Sequence, residues 1–314
     1  KGLRMYVAHH WGGMLPADKS LQSKQKLFGQ ITSWDRNQDG GFKVLKNWGD
    51  PQQANPLLVN FVSQITKEYP GFFFIGENYG WDIHLLKSGV IPMDSGTYGD
   101  IQRVILKGEN AQGVLNEHFR WMLGSLPKGA QLAGALETHD YYRLMDRWES
   151  YGPDRLKAAI WTWLATTRGP IIIYNRQEVG ETHRIRIDNY TCHNYIEADR
   201  QRYYAQLAFE QAYGESVQDF YQRALNFYLK SSSLHSGEDY ILDTRHNHIF
   251  AIARYTQKES VIVVVNEWWE TAHTEIDLAP LYKELKIKDS FNQFYVVTDF
   301  ESGKKEIFSG KELI

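Results

Sequence analysis

Four apolar runs, each followed by polar or charged residues, constrain the fold of this 314-residue chain more than any other feature. The clearest run is 72–75, which is followed by Gly76, Glu77 and Asn78. Four bulky apolar residues in succession predict a strand that is buried on both faces of a parallel sheet. Because α/β barrels carry their chemistry where the strands end, the sequence predicts a functional carboxylate at Glu77.

The other three runs have the same design. They span 2–8, 132–136 and 171–174, and they lead into His9 and His10, into residues 137–140, and into Gln177 and Glu178, respectively. Apolar residues at helical spacing lie between the four runs, at 58–65, 115–123 and 156–164, and after the last run, at 217–228. Alternating strands and helices predict an α/β fold with a parallel sheet.

Two of the runs carry motifs that resemble glycoside hydrolase family 13, the α-amylase family. Gly2, Arg4 and His10 match the G-x-R-x-D-x-x-x-H motif of the family's fourth barrel strand. Glu77 matches the acid/base glutamate at the end of the fifth strand. The resemblance implies that Glu77 is the proton donor of glycosidic cleavage and that Arg4 and His10 contact the nucleophile and the substrate. A glutamate that caps the next helix or pairs with an arginine is the alternative.

The later runs continue the resemblance in the same order. The sequence Thr138-His139-Asp140 is similar to the Asn-His-Asp of the seventh strand, and residues 169–180 are similar to the G-x-P-x-x-Y-x-G-Q-E-x-G of the eighth. The resemblance implies that Asp140 stabilises the transition state and that His139 hydrogen-bonds the same sugar. A purely structural His-Asp pair and a zinc or iron site are the alternatives. No H-x-H or H-E-x-x-H pattern supports the metal.

The main departure from the family motif is at residue 6. The alignment places Tyr6 where the family has its nucleophilic aspartate, two positions after Arg4 and therefore on the same strand face. Three interpretations remain open: Tyr6 abolishes hydrolysis, replaces the nucleophile as tyrosine does in sialidases, or is a substitution in this chain. The sequence predicts lost or strongly reduced hydrolysis, because a phenol with an ordinary pKa near 10 is a weak nucleophile without a base.

The resemblance also sets the expected domains. It accounts for barrel strands four, five, seven and eight, with a sixth near 91–98, so we expect residues 1–237 to be the C-terminal portion of a (β/α)8 TIM barrel. Five strands cannot close a barrel, so we expect an N-terminal barrel half in cis or, less simply, in trans. Short strands at 249–253, 261–265 and 294–297 predict an antiparallel β-sandwich domain over residues 238–314.

Composition excludes several classes of partner. The net charge of −3 does not suggest binding to nucleic acid or an anionic membrane, and no apolar run is long enough to span a bilayer. The single cysteine, Cys192, cannot form an intrachain disulfide and favours a reducing compartment such as the cytoplasm. The 10 Trp and 19 Tyr side chains serve either ordinary packing or stacking on sugar rings.

No cofactor is required by this interpretation. Asp35, Asn37, Asp39 and Gly40 begin like a calcium loop, but the twelfth position is Lys46, which excludes an EF-hand. A looser calcium site or a plain polar turn remain open. His9 and His10 are not expected to bind one metal ion together, because adjacent strand residues point to opposite faces.

The expected function is that of a retaining glycoside hydrolase or transglycosylase of carbohydrate metabolism, acting on α-linked glucans or oligosaccharides. The main alternative is a catalytically degenerate relative that binds carbohydrate or serves as a scaffold, which Tyr6 favours. A barrel hydrolase with unrelated chemistry is a third hypothesis.

Overall fold

The computed structural model describes residues 2–6, 34–36, 42–44, 56–77, 86, 89–126, 129–138, 143–182, 195–286 and 292–313. The chain divides into two compact units. The first comprises residues 1–98, 126–135 and 167–172, and the second comprises residues 99–125, 136–166 and 173–314.

The first unit is built on a parallel sheet. The described strands of this unit are β1 (Gly2–Tyr6), β2 (Trp34–Arg36), β3 (Phe42–Val44), β4 (Phe73–Glu77), β5 (Val90–Asp94), β6 (Ala133–Ala135) and β7 (Ile171–Ile172). The sheet has the order β1-β4-β5-β6-β7, and each strand is parallel to the next, whereas β2 and β3 form a separate antiparallel pair. The predicted parallel α/β sheet is therefore confirmed, while closure into an eight-stranded barrel stays a prediction.

One helix covers one face of β4. Helix α1 (Pro56–Glu68) has the helical spacing that the sequence predicted, and its Val62 is buried in a cluster with Phe74 and Val90. Because side chains alternate along a strand, this packing buries Phe74 and leaves Phe73 on the other side, where it is 36% exposed. The expected burial of this strand on both faces is therefore not observed at Phe73.

The strand predicted near 91–98 ends earlier than expected. Strand β5 stops at Asp94, and the following residues begin α2 (Ser95–Lys107). Asp94 Oδ1 accepts a hydrogen bond from the Thr97 backbone N–H at 3.0 Å, and Asp94 Oδ2 accepts one from Thr97 Oγ1 at 2.5 Å. An aspartate at this position caps a helix, and this is why the chain turns helical after residue 94.

Gly134 in β6 and Gly169 just before β7 allow the backbones around these two strands to approach closely. A Cβ atom at Gly134 would lie 2.3 Å from Thr167 Oγ1, and one at Gly169 would lie 2.7 Å from the Leu132 carbonyl oxygen. The Gly134 N–H donates to the Pro170 carbonyl oxygen at 2.9 Å. The spacing of β6 and β7 thus depends on residues without side chains at these two positions.

Helix α2 continues into the second unit, which begins at Gly99 and is mainly helical. It contains a π-helix (Gln112–Asn116), α3 (Glu117–Ser125), α4 (Trp148–Thr166), α5 (Tyr195–Tyr213), α6 (Val217–Lys230), α7 (Ser232–Ser236), α8 (Ala279–Glu284) and α9 (Gly310–Leu313), with 3₁₀ turns at Leu144–Arg147 and Gln177–Val179. The helices predicted near 115–123, 156–164 and 217–228 are confirmed.

The sequence did not predict α5. Residues 181–205 have a polar, loop-like pattern, yet the second half of this segment is helical from Tyr195 onwards. The helix is held by Ala205 and Phe209, which are fully buried, and the Phe209 ring packs 5.8 Å from that of Phe220 in α6. Tertiary packing of these few residues therefore overrides the polar pattern.

The C-terminal strands are antiparallel, as predicted. Strands β8 (Glu238–Ile241), β9 (Ile249–Tyr255) and β10 (Ser260–Asn266) form a sheet in the order β10-β9-β8, and β11 (Phe294–Thr298) pairs with β12 (Lys305–Ser309). The sandwich arrangement and the domain boundary between residues 237 and 238 stay predictions.

A buried carboxylate links the end of β10 to α4. Glu267 Oε1 accepts a hydrogen bond from Thr162 Oγ1 at 2.7 Å, and the Glu267 backbone N–H donates to the His248 carbonyl oxygen at 2.8 Å. Burial raises the pKa of Glu267 to about 7, against the opposing effects of the Thr162 hydrogen bond and the positive charge of Arg155. The folded protein therefore holds a proton on Glu267 at pH values where the unfolded chain has lost it.

We expect this proton to make stability fall as pH rises. Between the ordinary glutamate pKa and about 7, the free energy of unfolding should decrease by up to about 1.4 kcal/mol per pH unit. Glu267→Gln should remove this contribution to the slope and leave that of Glu137, whose pKa is also raised to about 7, whereas Glu270→Gln, at an exposed position, should keep the full slope. Urea unfolding at several pH values from 5 to 7.5 measures the slopes. Equal slopes in the parent and Glu267→Gln would contradict the assignment.

Candidate active site

Tyr6 and Glu77 lie side by side at the carboxyl edge of the parallel sheet. Strand β1 pairs with β4 in a register that runs from Gly2 opposite Phe73 to Tyr6 opposite Glu77. Each of the two residues is the last of its strand. Since neighbouring strands are about 4.8 Å apart, this register brings two predicted site positions to adjacent backbones.

The other predicted site residues are placed only in part. Arg4 lies within β1, opposite Ile75 of β4, so the strand that the prediction required is present. His10, His139 and Asp140 lie outside the described residues. The catalytic and substrate-binding roles of all six predicted residues therefore stay predictions.

Only one residue of the predicted calcium loop lies within the described residues. Asp35 lies in β2, whereas Asn37 and Asp39 lie outside the described residues. Among the residues that the structure describes, no three His, Cys, Asp or Glu side chains are grouped so that they could hold a metal ion. Over the same ranges, no helix is both long and apolar enough to cross a membrane.

A buried ion pair joins a residue before the predicted His139 and Asp140 to a residue after them. In the second unit, Arg143 Nη1 lies 2.9 Å from Glu137 Oε2, and both side chains are almost completely buried. The Leu144 backbone N–H donates to Glu137 Oε1 at 2.9 Å. Both carboxylate oxygens of Glu137 are thus used to join the two ends of residues 138–142.

Arg143 also binds the chain that follows β7. Its Nη2 donates to the Asn175 carbonyl oxygen at 2.8 Å, and its guanidinium carbon lies 4.0 Å from the centre of the Tyr174 ring. Gln177 holds the same region, because its Oε1 accepts from the Tyr174 N–H at 3.0 Å and its Nε2 donates to the Tyr221 hydroxyl at 3.1 Å. The residues of the eighth-strand motif therefore make structural hydrogen bonds in the second unit.

The electrostatics of Glu137 follow from its burial. Burial raises the pKa of Glu137 to about 7, while the charge of Arg143 and the hydrogen bond from Leu144 act in the opposite direction. Sequence reasoning did not identify this ion pair. Its only sequence signal is that two charged residues flank the Thr138-His139-Asp140 motif, and such spacing does not by itself distinguish a buried pair from exposed charges.

No family model matches the sequence, and no curated protein matches it. Solved structures do match. A maltogenic α-amylase, AmyB, from Thermotoga neapolitana has a TM-score of 0.60 at 13% identity, with 98% of this chain and 72% of that chain covered. A debranching enzyme from Nostoc punctiforme has a TM-score of 0.55 at 17% identity, with 78% of this chain and 50% of that chain covered. An α-amylase from H. orenii has a TM-score of 0.52 at 17% identity, with 67% of this chain covered.

These likenesses establish the fold. The solved structures are named as α-amylases and a debranching enzyme, and the resemblance inferred from the strand-end motifs is confirmed at the level of the fold. This chain spans 46% of the length of the H. orenii enzyme and 50% of that of the Nostoc enzyme.

We expect the Glu137–Arg143 pair to be essential for stability at alkaline pH. Arg143→Met leaves a buried carboxylate without its cation, so the free energy of unfolding should fall by about 3–5 kcal/mol at pH 8. The loss should be smaller at pH 5, where Glu137 takes up a proton. Urea unfolding at both pH values measures this difference.

The matched control is Arg103→Met, at a half-exposed arginine that pairs with Asp100 and Glu109. Its effect should stay within about 1 kcal/mol at either pH. A small, pH-independent effect of Arg143→Met would contradict the role of the buried pair.

Proposed function

We propose that this protein is built as a retaining glycoside hydrolase or transglycosylase for α-linked glucans or oligosaccharides, and that Tyr6 at its nucleophile position makes turnover slow or absent. The observation that carries the proposal is the register of Tyr6 opposite Glu77 at the carboxyl edge of a sheet with the α-amylase fold. Support also comes from the solved structures, which are named as amylases and a debranching enzyme. The complete site would need the other barrel strands, in cis or in trans.

The proposed reaction uses the two strand ends as a pair. Retaining glycosidases hold the acid/base and the nucleophile about 5–5.5 Å apart, which is close to the distance between neighbouring strands. Glu77 would protonate the leaving oxygen and then remove a proton from water or from an acceptor hydroxyl. Residue 6 stands at the nucleophile position, with Arg4 as its orienting cation.

The remaining roles concern the sugar itself. Asp140 would bind sugar hydroxyls and stabilise the transition state, and His139 and His10 would hydrogen-bond the same ring. The buried Glu137–Arg143 pair supports this assignment, because it fixes both ends of the segment that carries His139 and Asp140. The chemistry requires no cofactor.

A second candidate function is carbohydrate binding without turnover, and Tyr6 is the observation that favours it. A tyrosine is larger than aspartate and would partly fill the sugar subsite. A tyrosine hydroxyl is also a weak nucleophile unless a base removes its proton. We therefore propose that the chain as written hydrolyses glucans slowly or not at all.

The substitution Tyr6→Asp tests the nucleophile position. In the full-length protein it should create or greatly raise turnover of maltooligosaccharides, because an aspartate there would be oriented by Arg4 beside Glu77. Tyr6→Asn is the matched control, since it has the same size but no carboxylate, and it should stay inactive. If the tyrosine form already turns over like an ordinary glycosidase and Tyr6→Asp is slower, Tyr6 is itself the nucleophile and the degenerate interpretation is wrong.

The substitution Glu77→Gln tests the acid in the active form. It should lower kcat on an unactivated oligosaccharide by about 10²- to 10⁴-fold while the protein stays folded. A substrate with a good leaving group should be affected less, because its departure needs less protonation. Equal losses on both substrates, or no loss, would show that Glu77 is not the proton donor.

A further inference from the structure

Three aromatic rings form a layered stack at the end of β10 in the second unit. The His248 and Trp268 rings are stacked with centroids 4.0 Å apart, and the Trp268 and Trp269 rings are stacked with centroids 3.4 Å apart. Trp269 is the outermost layer and is 66% exposed. Trp268 stacks on one face of Trp269, and the guanidinium carbon of Arg155 lies 5.3 Å from the centre of the Trp269 ring. The exposed surface of Trp269 is the part of the ring that these two residues leave uncovered.

Hydrogen bonds of Asn266 and close packing over Gly108 fix the position of the stacked rings. Asn266 Oδ1 accepts from the Trp268 N–H at 3.1 Å, and Asn266 Nδ2 donates to the Glu270 carbonyl oxygen at 2.7 Å. A Cβ atom at Gly108 would lie 3.1 Å from Trp268 Cζ3, so the ring packs closely over a residue without a side chain. A ring that is fixed before binding loses little conformational entropy when a ligand stacks on it.

Glu267 adds a second anchor on the N-terminal side of the two tryptophans. Its carboxylate accepts from Thr162 of α4, and its backbone N–H donates to the His248 carbonyl oxygen. The segment that presents Trp269 is therefore tied both to a helix and to the β9–β10 sheet. These contacts favour one fixed position for the Trp269 ring.

The exposed face is too small for a stable protein contact. A tryptophan side chain offers about 150–250 Å² in total, whereas a stable interface buries about 800 Å² on each partner. The surroundings are polar: Glu270, Thr271 and Lys107 are all exposed. A small, flat ligand with one apolar face and hydroxyl groups around its edge fits such a platform, and this describes a pyranose ring.

We propose that Trp269, in the second unit, is a stacking platform for a glucose unit of an α-glucan and is not one of the proposed catalytic residues. The sugar's C–H face would lie on the exposed indole, and its hydroxyls would remain in contact with water and the polar rim. The platform goes beyond the proposed catalytic function and rests on it only for the linkage of the glucan. It would retain a long polymer without taking part in bond cleavage.

Affinity electrophoresis through native gels that contain amylopectin tests the platform. The full-length protein carries Glu77→Gln in all samples, so that the polymer is not degraded. Trp269→Ala should raise the apparent Kd for amylopectin by about 2- to 10-fold. Tyr203→Ala is the matched control, because Tyr203 is 60% exposed and also packs on a neighbouring ring, that of Tyr204 at 5.7 Å. It should leave retention unchanged.

The proposal is overturned if Trp269→Ala is retained like the parent, if Tyr203→Ala loses as much retention, or if the parent is not retained at all. A parallel gel with a β-linked glucan tests the linkage, and equal Trp269-dependent retention there would overturn the α-glucan assignment. The readout needs no turnover. An inactive Tyr6→Asp form would therefore end the catalytic proposal without changing this result, and unchanged retention would leave the catalytic proposal standing.

Discussion

The in-register parallel pairing of β1 with β4 is the constraint on which the candidate site depends. A slip of one residue would turn every side chain of a strand to the opposite face. Burial of Phe74 against Val62 of α1 opposes such a slip in β4, because it would expose a large apolar ring. The position of Glu77 at the sheet edge, opposite Tyr6, thus follows from hydrophobic packing three residues earlier in the strand.

The second unit contains two buried glutamates that act in the same way. Glu137 and Glu267 are both fully buried carboxylates whose pKa is raised to about 7 by desolvation. Glu137 accepts hydrogen bonds from Arg143 and Leu144, which follow the segment of His139 and Asp140. Glu267 accepts one from Thr162 and precedes Trp268 and Trp269 in the chain. A buried polar group costs stability unless it is satisfied, so such contacts hold a segment in one arrangement.

Much of the fold could be predicted from apolar periodicity alone. The runs at 72–75 and 261–265 and the helical spacing at 58–65 all form the expected elements. The failures have local causes. Strand β5 ends early because the Asp94 side chain caps the next helix, and α5 was missed because two buried residues hold an otherwise polar helix. The Glu137–Arg143 pair could not be predicted, since only the folded chain shows that both charges are buried. The site residues were found by motif order, and their roles stay proposals.

The most direct test of the account is a crystal structure of the full-length Glu77→Gln protein with a bound maltooligosaccharide. We expect the sugar chain to cross the carboxyl ends of β1 and β4, with a glycosidic oxygen within about 2.6–3.2 Å of the residue-77 side chain. A sugar ring on the residue-6 side of that oxygen would support the proposed nucleophile position. A structure in which saccharide binds elsewhere, with these two strand ends unoccupied, would contradict the central claim.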